Sequence, residues 1–179
     1  MNRAESARPI TLITTGGTIE KTYDEATGSL DNRRSIVRRM LRRLRLEGTA
    51  VTIVELMSKD SLLMTDEDRE HMTAAVRKAS LDDPKPVGVV ILHGTDTLCL
   101  TGERMARETW PFPVVLTGAM RPFEMVRSDA LQNLTESMFA AGVLGPGVYC
   151  VAHGRPLKFP GVVKDRERGT FVGGLEQPR

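Results

Sequence analysis

Two short segments of the sequence combine glycines with threonine hydroxyls. The first is Thr15-Gly16-Gly17-Thr18, and the second runs from His93 to Thr97 as HGTDT, which adds an aspartate. Glycine lets backbone N–H groups approach a ligand closely, and a hydroxyl supplies a nucleophile or a polar clamp. These two segments are therefore the first candidates for a catalytic site.

A threonine hydroxyl is a weak nucleophile unless a base or a cation helps to remove its proton. A lysine kept neutral by burial can serve as such a base, because the pKa of lysine moves readily. The candidate helpers in this sequence are Tyr23, Asp96 and one of two lysines, Lys158 or Lys164. From the residues alone we expect a hydrolase of a small polar substrate.

The segments that must position these residues alternate between strand and helix. Apolar or β-branched runs predict strands at 9–14, 50–55, 87–92, 114–117 and 147–152. Apolar residues at helical spacing predict helices at 33–46, from Thr65 into the seventies, at 97–108 and at 128–141. Thr65 and Asp68 form a capping box at the start of the second helix. From about residue 155 onwards we expect loop and at most one irregular strand.

This alternation predicts an α/β fold, a three-layer, doubly wound and mostly parallel sheet of the flavodoxin or Rossmann type. We expect a single domain over residues 1–179, with flexible ends at 1–8 and 173–179. Ligands bind such a sheet beyond the carboxyl ends of its strands. Both glycine-threonine segments directly follow predicted strands, so the fold brings them to the same edge.

Composition excludes several classes of protein. No apolar run approaches the roughly 18 residues of a membrane span, and no apolar stretch of signal-peptide length opens the chain. The two cysteines cannot form a disulfide framework, so we expect a cytoplasmic protein. The three histidines have no metal-ligand spacing, and no metal site is predicted.

Seven arginines crowd residues 33–45, although the net charge of the chain is only +2. A segment of this kind is typical of proteins that bind a nucleic acid or an acidic membrane surface. An amphipathic helix with a solvated basic face is the more common reason for such a segment, so we predict no nucleic-acid partner. A phosphate-binding loop is also excluded after Gly16-Gly17, because Glu20 stands where that motif needs glycine before its lysine.

The motifs match those of a known family. TGGTI at 15–19, HGTDT at 93–97 and GAMRP at 118–122, followed by Ser128-Asp129 and Asn133, resemble the bacterial-type L-asparaginases in order and spacing over about residues 10–165. The resemblance implies hydrolysis of L-asparagine to L-aspartate and ammonia by a threonine nucleophile, through an acyl-enzyme. It implies no metal or organic cofactor, and a homodimer or homotetramer.

The resemblance also assigns roles to catalytic residues. Thr18 is similar to the family's nucleophile, and Tyr23 to the tyrosine that assists it. Thr95 is similar to the second catalytic threonine, with Lys164 as its base and Asp96 beside it. Lys164 is preferred to Lys158 because its distance from the fifth strand agrees with the family.

Substrate contacts are implied in the same way. Ser58 is expected to bind the α-carboxylate and Asp96 the α-ammonium, which is a charge-assisted contact. The other expected contacts are Gly17, Asp60, Gly94 and Thr95. Backbone N–H groups near Gly17-Thr18 and Thr95 are the available oxyanion donors.

The sequence departs from the common family pattern at its end. Common members continue into a second α/β domain, which places a glutamate near the substrate of a neighbouring subunit. Here the sequence ends at Arg179, so we expect a short-chain L-asparaginase or a fragment of a longer enzyme. The alternatives are an amidase acting on glutamine or on aminoacyl-tRNA, and a non-catalytic domain that binds a ligand or nucleic acid.

Overall fold

A six-stranded sheet forms the centre of the computed structural model, which describes residues 7–173. The strands are β1 (Arg8–Gly16), β2 (Thr22–Asp24), β3 (Ser29–Asp31), β4 (Thr49–Lys59), β5 (Gly88–Leu92), β6 (Pro113–Thr117), β7 (Gly147–Ala152), β8 (Arg155–Lys158), β9 (Val162–Asp165) and β10 (Thr170–Gly173). The helices are α1 (Val37–Leu41), α2 (Asp66–Ala79), α3 (Leu98–Met105) and α4 (Ala130–Val143).

The order of the main sheet is β4-β1-β5-β6-β7-β8. The first five strands in this order run parallel to one another, and β8 runs antiparallel to β7. This mostly parallel sheet with helices confirms the predicted α/β fold. The strand order starts in the middle of the sheet and proceeds in both directions, so the loops after β1 and β5 lie side by side.

Two apolar cores cover the two faces of the sheet. Val89 and Ile91 of β5 belong to one core with residues of α2 and α3. Val90 and Leu92 belong to the other core with residues of α1 and α4. Successive residues of a strand point to opposite faces, so a continuously apolar strand such as β5 must be covered on both sides. This arrangement holds the carboxyl ends of the central strands rigidly in place.

The arginine-rich segment does not form the predicted helix over 33–46. Only Val37–Leu41 is helical, and its N-cap residue, Ile36, makes no side-chain capping hydrogen bond. The Ser35 hydroxyl, which precedes the helix, accepts the Val37 N–H at 3.3 Å and donates to the buried carboxylate of Glu20. Arginines also recur four residues apart in this segment, which destabilises a helix by repulsion between like charges.

The expectation of loop beyond residue 155 is wrong, because β8, β9 and β10 all lie there. A two-residue turn at His153-Gly154 joins β7 to β8, and both residues have positive φ angles, 54° and 78°. These are the angles of a tight hairpin turn. Of the ends predicted to be flexible, Arg8 and Gly173 are paired in strands, whereas 1–6 and 174–179 lie outside the described residues.

No helix between residues 7 and 173 has the length and apolar character needed to cross a bilayer. Cys99 and Cys150 are free thiols. Within the same residues, no group of three or more histidines, cysteines or carboxylates is arranged to hold a metal ion.

Candidate active site

The turn after β1 is fixed by close backbone contacts. Gly17 has φ 77° and ψ 178°, a conformation that side-chain-bearing residues avoid, and its N–H donates to the Lys59 carbonyl at 2.9 Å. A Cβ atom on Gly17 would lie 2.3 Å from the backbone nitrogen of Gly94. The glycines therefore let the two threonine-bearing loops touch, and Thr18 begins a 3-10 turn at this contact.

Glu20 anchors this turn from the inside. Its side chain is buried and accepts hydrogen bonds from the Gly16 N–H at 3.1 Å and from the Ser35 hydroxyl. Burial raises the pKa of the Glu20 carboxyl, although these hydrogen bonds oppose the shift. The position of Thr18 therefore depends on a buried polar contact as well as on the glycines.

Lys164 reaches the loop after β5 from the separate hairpin β9–β10. Its Nζ donates to the Thr95 hydroxyl at 2.7 Å and to the Asp96 carboxylate at 3.0 Å. Thr95 is 4% exposed and the Lys164 side chain 15% exposed, so water has little access to the contact. Burial acts to raise the pKa of Asp96, but Lys164 and Arg166 outweigh it and hold that pKa below its usual range.

Tyr23 lies on β2, in the β2–β3 hairpin. Its side chain is 59% exposed. The backbone N–H of Tyr23 donates to the Glu124 carboxylate at 3.0 Å, and Arg39 donates to the other oxygen of the same group. The structure thus places Tyr23 five residues from Thr18 on an exposed, polar-tethered element rather than inside the loop cluster.

Ser58 and Asp60 take no part in the contact of Lys164 with Thr95 and Asp96. Ser58 is exposed on β4, an edge strand that continues to Lys59, beyond its predicted end. Asp60 is 2.7 Å from Lys21 and accepts the Leu62 N–H, and these contacts hold its pKa below the usual range. Its carboxylate is thus already engaged within the protein.

Ser61 is the serine that reaches the loop cluster, and it is not among the residues predicted from the sequence. It is 2% exposed, and a Cβ on Gly94 would lie 2.4 Å from its hydroxyl oxygen. Thr97 donates a hydrogen bond to its carbonyl at 2.9 Å. Ligands of such a sheet bind residues that follow the end of a strand. Because β4 ends at Lys59, this rule favours Ser61, which follows the strand, over Ser58, which lies within it.

His93 supports the HGTDT loop from behind. It is fully buried, and its Nδ1 lies 2.8 Å from the Gly94 carbonyl. Because a carbonyl only accepts, Nδ1 carries the proton, and Nε2 accepts from the Thr101 hydroxyl at 2.8 Å. Burial lowers the pKa of His93 to about 4, so the ring is neutral at physiological pH.

Asp129 holds the GAMRP loop after β6. Its carboxylate accepts the backbone N–H groups of Met120 and Arg121 at 3.0 and 3.1 Å. His153 donates to it from Nε2 at 2.8 Å, and Asn133 donates at 2.9 Å. These residues of the sequence motif therefore shape the loop that lies beside the site.

Comparison with known proteins shows the family of this chain. The family described as "Asparaginase, N-terminal" matches residues 9–167. The chain belongs to the asparaginase family. The L-asparaginase of Thermococcus kodakarensis is 36% identical over 107 residues, 59% of this chain and 32% of that protein. L-asparaginase 1 of Escherichia coli strain K12 is 33% identical over 141 residues, 75% of this chain and 40% of that protein.

A second group of relatives and a solved structure extend the comparison. A glutamyl-tRNA(Gln) amidotransferase subunit of Methanococcus vannielii is 28% identical over 161 residues, 86% of this chain and 36% of that protein. The solved thermostable L-asparaginase from Thermococcus kodakarensis has a TM-score of 0.82 at 29% identity, covering 92% of this chain and 51% of that chain. The chain thus spans a third to a half of these relatives' lengths.

Proposed function

We propose that this chain is an L-asparaginase that hydrolyses L-asparagine to L-aspartate and ammonia. The observation that carries the proposal is the contact of Lys164 with both Thr95 and Asp96. A partly buried lysine within hydrogen-bond distance of a hydroxyl is a base placed to move that hydroxyl's proton. Membership of the asparaginase family supports an amide bond as the target.

The proposed reaction has two halves. The Thr18 hydroxyl attacks the side-chain amide carbon of asparagine, the C–N bond breaks, and ammonia leaves with the hydroxyl's proton. Water then attacks the ester formed on Thr18 and releases aspartate. Thr95 and Lys164 relay protons in both halves, and Tyr23 assists Thr18 from the β2–β3 hairpin.

The substrate's amino-acid end is proposed to lie between the loops after β4 and β5. The Asp96 carboxylate suits the α-ammonium, and the Ser61 hydroxyl rather than that of Ser58 suits the α-carboxylate. Gly17 and Gly94 allow backbone N–H groups to approach the amide oxygen, where charge develops in the transition state. A cytoplasmic homo-oligomer without a cofactor is the form that we propose for the enzyme.

Glutamine-directed chemistry is the second candidate. It is favoured by the similarity to the glutamyl-tRNA(Gln) amidotransferase subunit. The sequence match to that protein covers more of this chain than the matches to the two L-asparaginases do. A non-catalytic binding domain is less well supported, because Thr18, Thr95, Asp96 and Lys164 are all present. Comparing glutamine with asparagine as substrates separates the first two functions.

Ammonia release from L-asparagine and L-glutamine tests the proposal. The wild-type chain should prefer asparagine, and Thr18→Ala should lower kcat by at least about a thousandfold because the nucleophile is lost. Thr18→Ser keeps a hydroxyl and should retain part of the activity. Full activity of Thr18→Ala would refute the nucleophile assignment, and a wild-type chain that releases no ammonia from either amide would refute the function.

A further inference from the structure

A cavity of about 500 Å³ lies between the arginine-rich segment and the loop that leads from β6 into α4. Three arginines line it, namely Arg39 on α1, Arg43 just after α1, and Arg127 from the β6–α4 loop. Phe123 and Glu124 of the same loop also line it. Residues far apart in the sequence thus meet at one concave site, whose size is typical of pockets for small molecules.

The charges around this cavity do not cancel. Three guanidinium groups line it, and the carboxylate among the lining residues is that of Glu124. That carboxylate accepts hydrogen bonds from the Arg39 guanidinium and the Tyr23 N–H, which hold the pKa of Glu124 below its usual range and keep it ionised. Neither Arg43 nor Arg127 forms an ion pair with any residue between 7 and 173. Two positive charges therefore remain unbalanced at the cavity.

The fold holds these arginines together in spite of their repulsion. The guanidinium carbons of Arg39 and Arg43 lie 5.2 and 5.8 Å from the centroid of the Phe123 ring, which are cation–π distances. Arg127 has a φ angle of 61°, a backbone conformation that residues other than glycine adopt rarely and that is common at ligand sites. Like charges held close together cost free energy, and an anion bound between them recovers it.

The chemistry that matches this cavity is a compact anion with several oxygens. We propose that the cavity binds a small phosphate-bearing ligand, with the phosphate group between Arg43 and Arg127. Guanidinium groups bind phosphate oxygens through paired hydrogen bonds, which makes arginine well suited to this recognition. A nucleic acid instead needs basic residues spread along a face or a stripe, whereas these arginines converge on a cavity. The inference does not depend on the reaction that the chain catalyses.

Calorimetric titration with inorganic pyrophosphate tests the proposal, because this probe carries two adjacent phosphate groups and nothing else. Wild type should bind it with a Kd below about 1 mM. Arg43→Gln and Arg127→Gln should each weaken binding about tenfold, because each removes a charge-assisted hydrogen bond. Absence of binding by wild type would overturn the proposal, as would unchanged binding in both variants.

Arg42→Gln is the matched control. Arg42 belongs to the same arginine-rich segment and the variant loses the same charge, but Arg42 is exposed and does not line the cavity. Its removal should leave the Kd for pyrophosphate unchanged, because salt screens exposed charges that do not touch the ligand. Equal losses in Arg42→Gln and Arg43→Gln would indicate a diffuse basic surface and would contradict a built site.

Glu124→Gln should change the affinity in the opposite direction. The substitution removes the carboxylate that repels an anion and that engages Arg39, so pyrophosphate should bind about threefold more tightly. Damage to the fold would weaken binding instead, so this variant separates a local charge effect from a structural one. Weaker binding in Glu124→Gln would count against the proposal.

Two further probes, ADP and a short single-stranded RNA, identify the source of the phosphate. ADP that binds at least as tightly as pyrophosphate, with the same loss in Arg43→Gln, would assign the site to a nucleoside diphosphate. Weaker binding of ADP would assign it to a free phosphate or diphosphate. RNA that binds more tightly than either, and loses affinity in Arg42→Gln as well as in Arg43→Gln, would overturn the assignment to a small ligand.

Discussion

The loops after β1 and β5 differ sharply from the β2–β3 hairpin that adjoins them. In the loops, backbone packs on backbone, and Gly17 has no room for even one additional carbon atom against Gly94. In the hairpin, a Cβ on Gly28 would meet nothing within 4 Å, and Tyr23 is 59% exposed. The comparison shows that tight backbone packing fixes the loops of Thr18 and Thr95. Tyr23, which is proposed to assist Thr18, instead lies on a hairpin that is attached through polar contacts.

The β9–β10 hairpin is intermediate between these two regions. Val162 and Phe171 are both 2% exposed and belong to the apolar core beneath α3. Lys164 pairs with Phe171 across the hairpin, so this anchoring extends to the backbone of the proposed base. A residue that must meet Thr95 at 2.7 Å is thus fixed by core packing.

The largest loss of stability is expected when a methyl group is added to the loop after β1. The same addition to the β2–β3 hairpin should cost much less. Gly17→Ala creates a severe backbone clash in an unfavourable conformation and should lower the free energy of unfolding by about 3 kcal/mol or more. Gly28→Ala introduces only the cost of a positive φ, about 1 kcal/mol. Urea denaturation measures both variants, and losses of equal size would contradict the contrast between loop and hairpin.

A smaller effect is expected from pH, through the buried ring of His93 behind the loops. Its folded-state pKa of about 4 lies below the ordinary value of 6.5. As pH falls below about 6.5, the unfolded chain binds a proton that the folded protein refuses. The free energy of unfolding should therefore fall by up to about 3 kcal/mol between about pH 6.5 and about pH 4 because of this residue.

Urea denaturation at several pH values checks this dependence. His93→Gln should remove this part of the pH dependence, whatever it does to stability at neutral pH. The control is His71→Gln, because His71 is exposed on α2. If the two variants retain the same slope of stability against pH as wild type, the role assigned to His93 is wrong.

The parts of the fold that could be predicted are those with strong local patterns. The β5 strand is a continuous apolar run, and α2 begins at the capping box of Thr65 and Asp68 that the sequence indicates. The glycine-threonine loops could be located because each follows such a strand. The local sequence pattern was enough to predict a strand where both faces of that strand are buried, because such burial requires apolar residues throughout.

The residues that sequence patterns miss depend on where strands end. The polar edge strand β4 lacks a continuous apolar run, so its extension to Lys59 is not apparent from the sequence, which favours Ser58 over Ser61. The sequence predicts at most one irregular strand beyond residue 155, because β9 is four residues long and is held by pairing with β10 rather than by its own pattern. Such pairings depend on tertiary contacts that a single sequence does not display.

The central claim is that Thr18 becomes acylated during hydrolysis of asparagine while Lys164 serves Thr95. Acid quenching of the enzyme during turnover, followed by digestion and mass spectrometry of the peptides, tests it most directly. We expect an aspartyl group on the Thr18 hydroxyl in wild type and none in Thr18→Ala. An aspartyl group on Thr95, or turnover by Thr18→Ala at the wild-type rate, would contradict it.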